Sequence, residues 1–348
     1  MEKGIYRGIR RAVYGKSGGL RYESNDTPAK RIWDLLERTV LPARSRDIVM
    51  NRFPAKQIWD ALALGQVILR PDLNPRQKFN CVKFYFDGGG INNLFATLGR
   101  SGSWWTSLTI ALALDLANGG EGTYTYKDDA WHPDGGVRYT KLDWRVPAGN
   151  VNDGLRWLAT DPVYYHTHHP YYRTRCRRVK DMKVVIVVRS ILESLESIFF
   201  KLGRNPAFPE TTVEDEDSFP WKRYLDEDIE FYNSWGDVAK RHGNCLVLRY
   251  HELMADPVGT HKAITDFWDL DIPVECLEEA LKRTTKKAMA EKIPQEEHGT
   301  VIRVSYRKER GVISKPRRDY ILERLQRELI HDFGYDYSEN HQWGQFYD

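Results

Sequence analysis

The sequence has little of several features that would assign it to a specialised class. Its 348 residues contain only 4 cysteines, Cys81, Cys176, Cys245 and Cys276, which lie far apart and include no CxxC pair. This spacing fits neither a disulfide framework nor a zinc site, and it suits a reducing compartment. No apolar run approaches the roughly 20 residues that a membrane-spanning helix needs. We therefore expect a soluble, cytoplasmic protein without stable membrane insertion.

An excess of one charge is also lacking. The 52 Lys and Arg residues stand against 49 Asp and Glu residues, a formal net charge of +3. This near balance argues against a dedicated nucleic-acid coat, so we expect no nucleic-acid partner. The basic N-terminus has no apolar core of the kind that a signal peptide needs, and we expect it to be solvated. The remaining composition, 41% hydrophobic and 29% charged, is typical of a globular protein.

Two regions of the chain differ in pattern. Residues 1–80 carry apolar residues at helical spacing over Arg31–Val40 and Ala55–Leu69, with prolines between them, which predicts a helical N-terminal extension. Beyond it, short apolar runs alternate with longer helical stretches, which assigns residues 81–348 to a second domain. The polar, acidic segment Gly203–Ser218 indicates a surface loop.

The second region predicts an α/β fold. The expected strands are Asn93–Leu98, Val163–Thr167, Lys183–Val188 and Cys245–Arg249. The expected helices are Leu108–Ala117, Ile191–Leu202, Trp221–Arg241, His261–Trp268 and Arg317–Phe333. Strands that are apolar on both faces and separated by helices indicate a central parallel sheet with helices on both faces.

The most informative segment, FATLGRSGSWWTS, joins the first of these strands to the first helix. A glycine-containing turn of this kind aims backbone N–H groups and the positive end of a helix dipole at one point. Gly99 and Gly102 allow an anion to approach the backbone, and Arg100 adds a permanent charge. Ser103 and Thr106 can donate hydroxyl hydrogen bonds. No Lys precedes the helix, so this is not a Walker A loop; a glycine turn without a ligand remains the alternative.

A second anion site is indicated further along the chain. Arg189 follows the strand Lys183–Val188, and Ser197 lies eight residues later, two turns into the next helix. Such a pair can converge on one phosphate at the carboxyl edge of the sheet, where open α/β folds bind ligands. The alternative is an arginine that caps carbonyl groups and a serine that faces solvent.

Three histidines lie in the segment YYHTHHP between the two predicted anion sites. In an extended chain, Tyr164, His166 and His168 share one face. No second cluster supplies partners at metal-ligand spacing, so we predict no metal site.

Taken in order, these segments resemble the sulfotransferases that use 3′-phosphoadenosine 5′-phosphosulfate (PAPS). GRSGSWW is similar to the 5′-phosphosulfate loop PKSGTTW, with Gly99 in place of Pro, Arg100 in place of Lys and Trp104 in place of the second Thr. Arg189 and Ser197 match the family's 3′-phosphate motif in type and offset. The segment HTHHP overlays the catalytic segment Lys-Thr-His-Leu-Pro. The resemblance covers roughly residues 93 to 335.

The resemblance implies a P-loop-like sulfotransferase fold and sulfuryl transfer from PAPS to a hydroxyl or amine of a small molecule, with 3′-phosphoadenosine 5′-phosphate (PAP) as product and no metal. It implies that His168 is the general base and that Arg100 and His166 stabilise the leaving group, with His166 standing where the family has Lys. The implied nucleotide-binding residues of the first two motifs are Gly99, Arg100, Ser101, Gly102, Ser103, Trp104, Trp105, Thr106, Arg189 and Ser197.

Three later segments extend the resemblance. LRYHEL is similar to the segment whose Tyr edges the adenine, which implies a role for Tyr250, and RTTKKAM is similar to a stretch that implies a role for Thr284. A packed tyrosine and a helix-terminal threonine are the alternatives. The basic run SYRKERG resembles the loop that closes over the 3′-phosphate, and it leaves open which residue makes the contact. Its implied binding residues are Arg307, Lys308, Arg310 and Gly311.

The acceptor is left open by the sequence. Aromatic and acidic residues after the first helix could form a cradle for a cationic or aromatic ligand, and an ordinary surface loop is the alternative. The candidate acceptor residues are Tyr124, Tyr126, Asp128, Asp129 and Trp131.

Two other functions compete: a diverged P-loop-like nucleotide kinase or NTPase, and a non-catalytic adenine-nucleotide-binding module. The oligomeric state is also open, with a homodimer as one alternative.

Overall fold

The computed structural model describes Pro75 and residues 92–127, 130–133, 142–143, 164–171, 179–203, 216–292 and 313–338. Several predictions lie outside these residues: the helical N-terminal extension, most of the polar loop after Gly203, Asp128, Asp129, and the basic run with Arg307, Lys308, Arg310 and Gly311.

A parallel sheet forms the centre of the described structure. The described strands, in chain order, are β1 (Asn93–Thr97), β2 (Tyr124–Lys127), β3 (Ala130–Pro133), β4 (Leu142–Asp143), β5 (Tyr165–Thr167), β6 (Lys183–Val188) and β7 (Cys245–Arg249). Five of them form one sheet in the order β4-β5-β1-β6-β7, and every neighbouring pair is parallel. Strands β2 and β3 form a separate antiparallel hairpin.

The position of β1 prepares a ligand site. After β1, in the middle of the sheet, the chain adds β4 and β5 on one side of it and then β6 and β7 on the other side. Of these strands, β5 and β6 lie next to β1. The carboxyl ends of these three strands therefore meet where the direction of winding changes. In open α/β sheets this is the place where ligands bind.

Helices cover both faces of the sheet. They are α1 (Ser103–Ala117), α2 (Ile191–Gly203), α3 (Trp221–Arg241), α4 (Tyr250–Ala255), α5 (Pro257–Phe267), α6 (Val274–Arg283), α7 (Lys286–Ala290) and α8 (Lys315–Glu328). Alternate residues of β6 enter two separate cores. Val184, Ile186 and Val188 pack with residues of α2, α3 and α8, whereas Val185 and Val187 pack with residues of α1, α5 and α6. The predicted α/β class, with a parallel sheet and helices on both faces, is confirmed.

The ends of two helices differ from the predictions because side chains form hydrogen bonds with backbone groups there. Helix α5 begins at Pro257 instead of His261 because the Asp256 carboxylate accepts a hydrogen bond from the Gly259 N–H (2.9 Å) and proline suits the first helical turn. Helix α8 ends at Glu328, before the predicted Phe333. There the Asn233 amide donates to the Glu328 carbonyl (2.9 Å) and accepts from the Ile330 N–H (2.7 Å), which replaces the next helical hydrogen bonds.

Helix α1 begins at Ser103, earlier than the predicted Leu108, because the apolar pattern reveals only the part of a helix that follows its polar first turn. Among the described residues, no helix has both the length and the apolar character needed to cross a membrane.

Candidate active site

The loop between β1 and α1, residues 98–102, forms a tight turn that we call the phosphate loop. Arg100 and Gly102 both have left-handed backbone conformations, with φ of 66° and 82°. The Ser101 hydroxyl donates a hydrogen bond to the Leu98 carbonyl (2.6 Å), which closes the turn. Within the described structure, no side chain caps the α1 N-terminus at Gly102. The loop therefore presents the start of a helix to the carboxyl edge of the sheet.

Arg189 and helix α2 hold the phosphate loop through three hydrogen bonds. Ser194 Oγ donates to the Gly99 carbonyl (2.9 Å), and Arg189 Nη1 donates to the Arg100 carbonyl (3.0 Å). In return, Arg100 Nε donates to Ser197 Oγ (3.1 Å). The two anion sites predicted from separate sequence motifs are therefore joined into one arrangement.

Three contacts orient Arg189, and the first is its hydrogen bond to the Arg100 carbonyl. Its Nε donates to the Glu193 carboxylate (3.0 Å) one turn along α2, and its guanidinium carbon lies 4.8 Å from the centre of the Tyr250 ring. Tyr250 also packs on the phosphate loop, because a Cβ at Gly102 would lie 3.0 Å from its Cε2. Tyr250 thus contacts both the phosphate loop and Arg189.

Trp105 lies in the first turn of α1, and hydrogen bonding and ring contacts hold its side chain. Its Nε1 donates to Thr284 Oγ1 (3.2 Å), and the buried Thr284 hydroxyl also lies 2.9 Å from Thr109 Oγ1. The Trp105 ring lies edge-on to His261, with centroids 5.3 Å apart, and burial lowers the pKa of His261 to about 4. Trp104, by contrast, is 44% exposed. The two adjacent tryptophans therefore have different environments.

Two residues of the histidine segment, His166 and His168, contact Thr97, the last residue of β1. His166 is fully buried, and its Nε2 lies 2.8 Å from Thr97 Oγ1. His168 is half-buried, and its Nδ1 lies 2.8 Å from the Thr97 carbonyl oxygen and 3.0 Å from Thr97 Oγ1. A carbonyl oxygen only accepts hydrogen bonds, so His168 Nδ1 carries a proton, and in the neutral ring Nε2 carries the lone pair.

The expected alternation along this segment is present. Tyr164 and His166 both contact Phe95, with ring centroids 5.8 Å and 5.6 Å apart, and the His166 and His168 rings are 4.4 Å apart at 83°. The described residues contain no group of three or more histidine, cysteine, aspartate or glutamate side chains arranged to hold a metal ion.

Sequence reasoning missed a second layer behind the site. The Tyr232 hydroxyl donates to the Arg189 carbonyl (2.6 Å), and Tyr337 accepts from the Ile191 N–H (3.0 Å). The buried Asp228 carboxyl interacts with Ser194, and burial followed by the charge of Glu227 raises its pKa well above the usual value. In sequence, Asp228 looks like any polar residue of an amphipathic helix, so no local signal could have identified it.

The candidate acceptor residues are only partly described. Tyr124 is buried and donates its hydroxyl proton to the Arg283 carbonyl, while Lys292 Nζ lies 4.4 Å from its ring centre. Burial, with a smaller effect of Glu291, raises the pKa of Tyr124 to about 12. Tyr126 pairs with Trp131 across the β2–β3 hairpin. The side chains of Tyr126 and Trp131 lie outside the described residues.

Comparison with solved structures finds proteins of similar fold. The chain is similar in structure to mouse sulfotransferase SULT7A1 complexed with PAP, at 16% sequence identity and a TM-score of 0.50, over 76% of this chain and 88% of that one. It also matches retinol dehydratase in complex with androsterone and inactive cofactor PAP, at 16% identity and a TM-score of 0.40, over 71% and 83% of the two chains.

A search of curated protein sequences finds no significant match. The family model described as sulfotransferase domain, however, matches residues 92–332, which is more than half of the chain and contains both predicted anion sites and the histidine segment. The chain therefore belongs to the sulfotransferase family.

Proposed function

We propose that this sulfotransferase moves the sulfuryl group of PAPS onto a hydroxyl or amine of a small-molecule acceptor, with His168 as general base. The proposal is supported by the hydrogen bonds that join the phosphate loop to Arg189 and α2, because they link the two predicted anion sites beside the histidine segment. A nucleotide with phosphates at both its 5′ and 3′ positions needs two such sites on one protein.

The residues present fit such a nucleotide. The α1 N-terminus without a side-chain cap offers backbone N–H groups to a 5′-phosphate, and Arg189 with Ser197 offers donors to a 3′-phosphate. Thr106 Oγ1 is buried without a hydrogen-bond partner in the described part of the chain, one turn into the same helix. Trp105, Thr284 and Tyr250 would hold the adenosine. When bound, PAPS supplies an activated sulfuryl group and a phosphate leaving group.

Arg100 contributes permanent positive charge between the two sites. Sulfuryl transfer resembles phosphoryl transfer, in which charge develops on the oxygens of the transferred and leaving groups and positioned cations stabilise it. Arg100 donates to Ser197 Oγ (3.1 Å) while its carbonyl accepts from Arg189. Its guanidinium is thereby kept at the junction of the two sites.

His168 has the protonation pattern that a general base requires. Its Nδ1–H donates to the Thr97 carbonyl (2.8 Å), so in the neutral ring the lone pair lies on Nε2. In the proposed reaction, Nε2 accepts the proton of the acceptor hydroxyl or amine as that group attacks sulfur. Proton transfer of this kind typically accelerates a reaction about 10²- to 10⁴-fold.

Binding of PAP tests the nucleotide site without knowledge of the acceptor. We expect PAP to raise the melting temperature more than AMP, ATP or NADP, because only PAP presents phosphates to both anion sites. Stabilisation by ATP with Mg²⁺ but not by PAP would overturn the proposal in favour of a kinase or NTPase.

Acceptor-dependent release of PAP, measured with EDTA present, tests the chemistry. A panel of phenols, alcohols and cationic amines covers the acceptor classes. We expect His168→Ala to reduce turnover by at least about 10²-fold and the control His242→Ala, at the end of α3, to retain it. Tight PAP binding without turnover of any acceptor would indicate a non-catalytic nucleotide-binding module.

A further inference from the structure

We propose that Thr97 is a positioning residue that couples the buried His166 to His168, so that the Thr97 hydroxyl and His166 together orient His168 and stabilise its protonated form. This inference rests on the proposed role of His168 as general base. It assigns to Thr97 a function that goes beyond its place at the end of β1. It also gives His166 a role different from that of a charged group facing the leaving group.

The geometry comes from the sheet. Strands β1 and β5 are parallel neighbours, with Phe95 opposite His166. Alternation places Thr97 on the same face of the sheet as Phe95, and His168 on the same face as His166. The Thr97 hydroxyl therefore lies between the two imidazoles, 2.8 Å from His166 Nε2 and 3.0 Å from His168 Nδ1.

The donor and acceptor capacities of the groups set the direction of the two hydrogen bonds at the Thr97 hydroxyl. His168 Nδ1 must carry a proton because it contacts the Thr97 carbonyl oxygen, so the Thr97 hydroxyl accepts a share of the same N–H. The single hydroxyl proton of Thr97 is then available for His166 Nε2. The order is His168 Nδ1–H to Thr97 Oγ1, and Thr97 Oγ1–H to His166 Nε2.

This order has a chemical consequence. When His168 Nε2 takes the proton of the acceptor, the ring becomes a cation and its Nδ1–H becomes a stronger donor. A hydroxyl that already donates to a second imidazole is a better acceptor, because hydrogen bonds in a chain polarise one another. Thr97 and His166 thus stabilise the imidazolium without adding a charged residue to a buried position, which is consistent with the complete burial of His166.

Substitutions at Thr97 separate this role from simple packing. Thr97→Val replaces the hydroxyl by a methyl group of similar size, whereas Thr97→Ser keeps the hydroxyl. We expect Thr97→Val to lower kcat about 10- to 100-fold, within the range of acid–base effects, with KM for PAPS and the Kd of PAP changed less than about 3-fold. Thr97→Ser should stay within about 3-fold of the original kcat.

Substitutions at His166 test the second of the two hydrogen bonds, from the Thr97 hydroxyl to His166 Nε2. His166→Gln can offer an amide oxygen near the position of Nε2, and His166→Phe cannot. We expect His166→Phe to lower kcat about 10-fold and His166→Gln to restore most of the loss. If Thr97→Val does not fold, the His166 pair alone decides the question. Equal kcat for all folded variants would overturn the inference.

Nitrogen-15 NMR of the histidine side chains gives a readout that does not depend on activity. We expect His168 protonated at Nδ1 and His166 unprotonated at Nε2. In Thr97→Val, where residue 97 keeps its carbonyl, His168 should stay protonated at Nδ1, and its imidazolium form should be less populated at a given pH than in Thr97→Ser. Protonation of His166 at Nε2 in the unsubstituted protein would overturn the proposed direction. If no acceptor is turned over, the proposed function fails while this spectrum still decides on the role of Thr97.

Discussion

Ser194 donates a hydrogen bond of 2.9 Å to the carbonyl oxygen of Gly99, 95 positions earlier in the chain. The bond joins the first turn of α2 to the phosphate loop, and Ser194 also interacts with the buried carboxyl of Asp228 on α3. Two helices therefore support a loop whose own sequence is short and rich in glycine and serine. This support explains how the loop can hold Arg100 in a left-handed conformation.

Removal of this support should weaken nucleotide binding. We expect Ser194→Ala to raise the Kd of PAP about 3- to 10-fold, since a net hydrogen bond contributes about 1 kcal/mol and the Gly99 carbonyl would lose its partner. Isothermal titration with PAP measures the change. Thr265→Val, which removes a different buried hydroxyl in α5, is the control and should leave the Kd unchanged.

Gly102 and Gly119 form a matched pair of glycines. Both have φ near 80°, but a Cβ at Gly102 would lie 3.0 Å from Tyr250 Cε2, whereas nothing lies within 4 Å of a Cβ at Gly119. We expect Gly119→Ala to lower the free energy of unfolding by about 1 kcal/mol, the cost of the left-handed conformation alone. Gly102→Ala should cost more and should also weaken PAP binding by displacing Tyr250. Urea unfolding and PAP titration measure the two effects; equal results for both variants would contradict the proposed role of the Tyr250 contact.

Arg100 should matter more for turnover than for folding. We expect Arg100→Ala to lower kcat about 10²- to 10³-fold, the range seen when a donor that stabilises transition-state charge is removed. Arg100→Lys should recover part of the activity, because it restores the charge without the planar guanidinium. Steady-state kinetics at saturating PAPS give the comparison. An unchanged kcat in Arg100→Ala would show that charge stabilisation comes from elsewhere.

Asp228 should make stability depend on pH. Burial raises its pKa in the folded state above the unfolded value of about 4, so the folded chain holds this proton to higher pH. The associated stability is complete below the unfolded pKa and is lost as the pH rises through the folded pKa. We expect Asp228→Asn to flatten this loss, because an amide stays neutral. Urea unfolding at several pH values measures the slope, and the exposed Asp271→Asn should keep the original slope.

The sequence predicts the sheet and the strands, loops and helices that carry the two candidate anion sites, because each depends on local patterns. The apolar run of β6 and the amphipathic α3 match their predicted bounds, Lys183–Val188 and Trp221–Arg241. The phosphate loop is recognisable because glycines and an arginine stand between a strand and a helix. These features are encoded within about a dozen neighbouring residues.

Other features depend on contacts between distant segments, so they could not be predicted. Thr97 looks like the last residue of a strand, and only the pairing of β1 with β5 brings it to the two histidines. The end of α8 at Glu328 depends on Asn233, which lies 95 residues away. The hairpin of β2 and β3 was missed because its strands are four residues each and contain no long apolar run.

The sequence of β6, KVVIVV, affects how firmly its register in the sheet is fixed. Both of its faces are apolar, so a shift by one residue would exchange valine for valine or isoleucine in the two cores and would cost little burial. The polar residues at its ends resist this shift: Lys183 pairs with Asp269, and the strand continues into Arg189, whose carbonyl and guanidinium are both bonded. Arg189, which we propose to bind a phosphate, thus also helps to keep β6 in register with its neighbours.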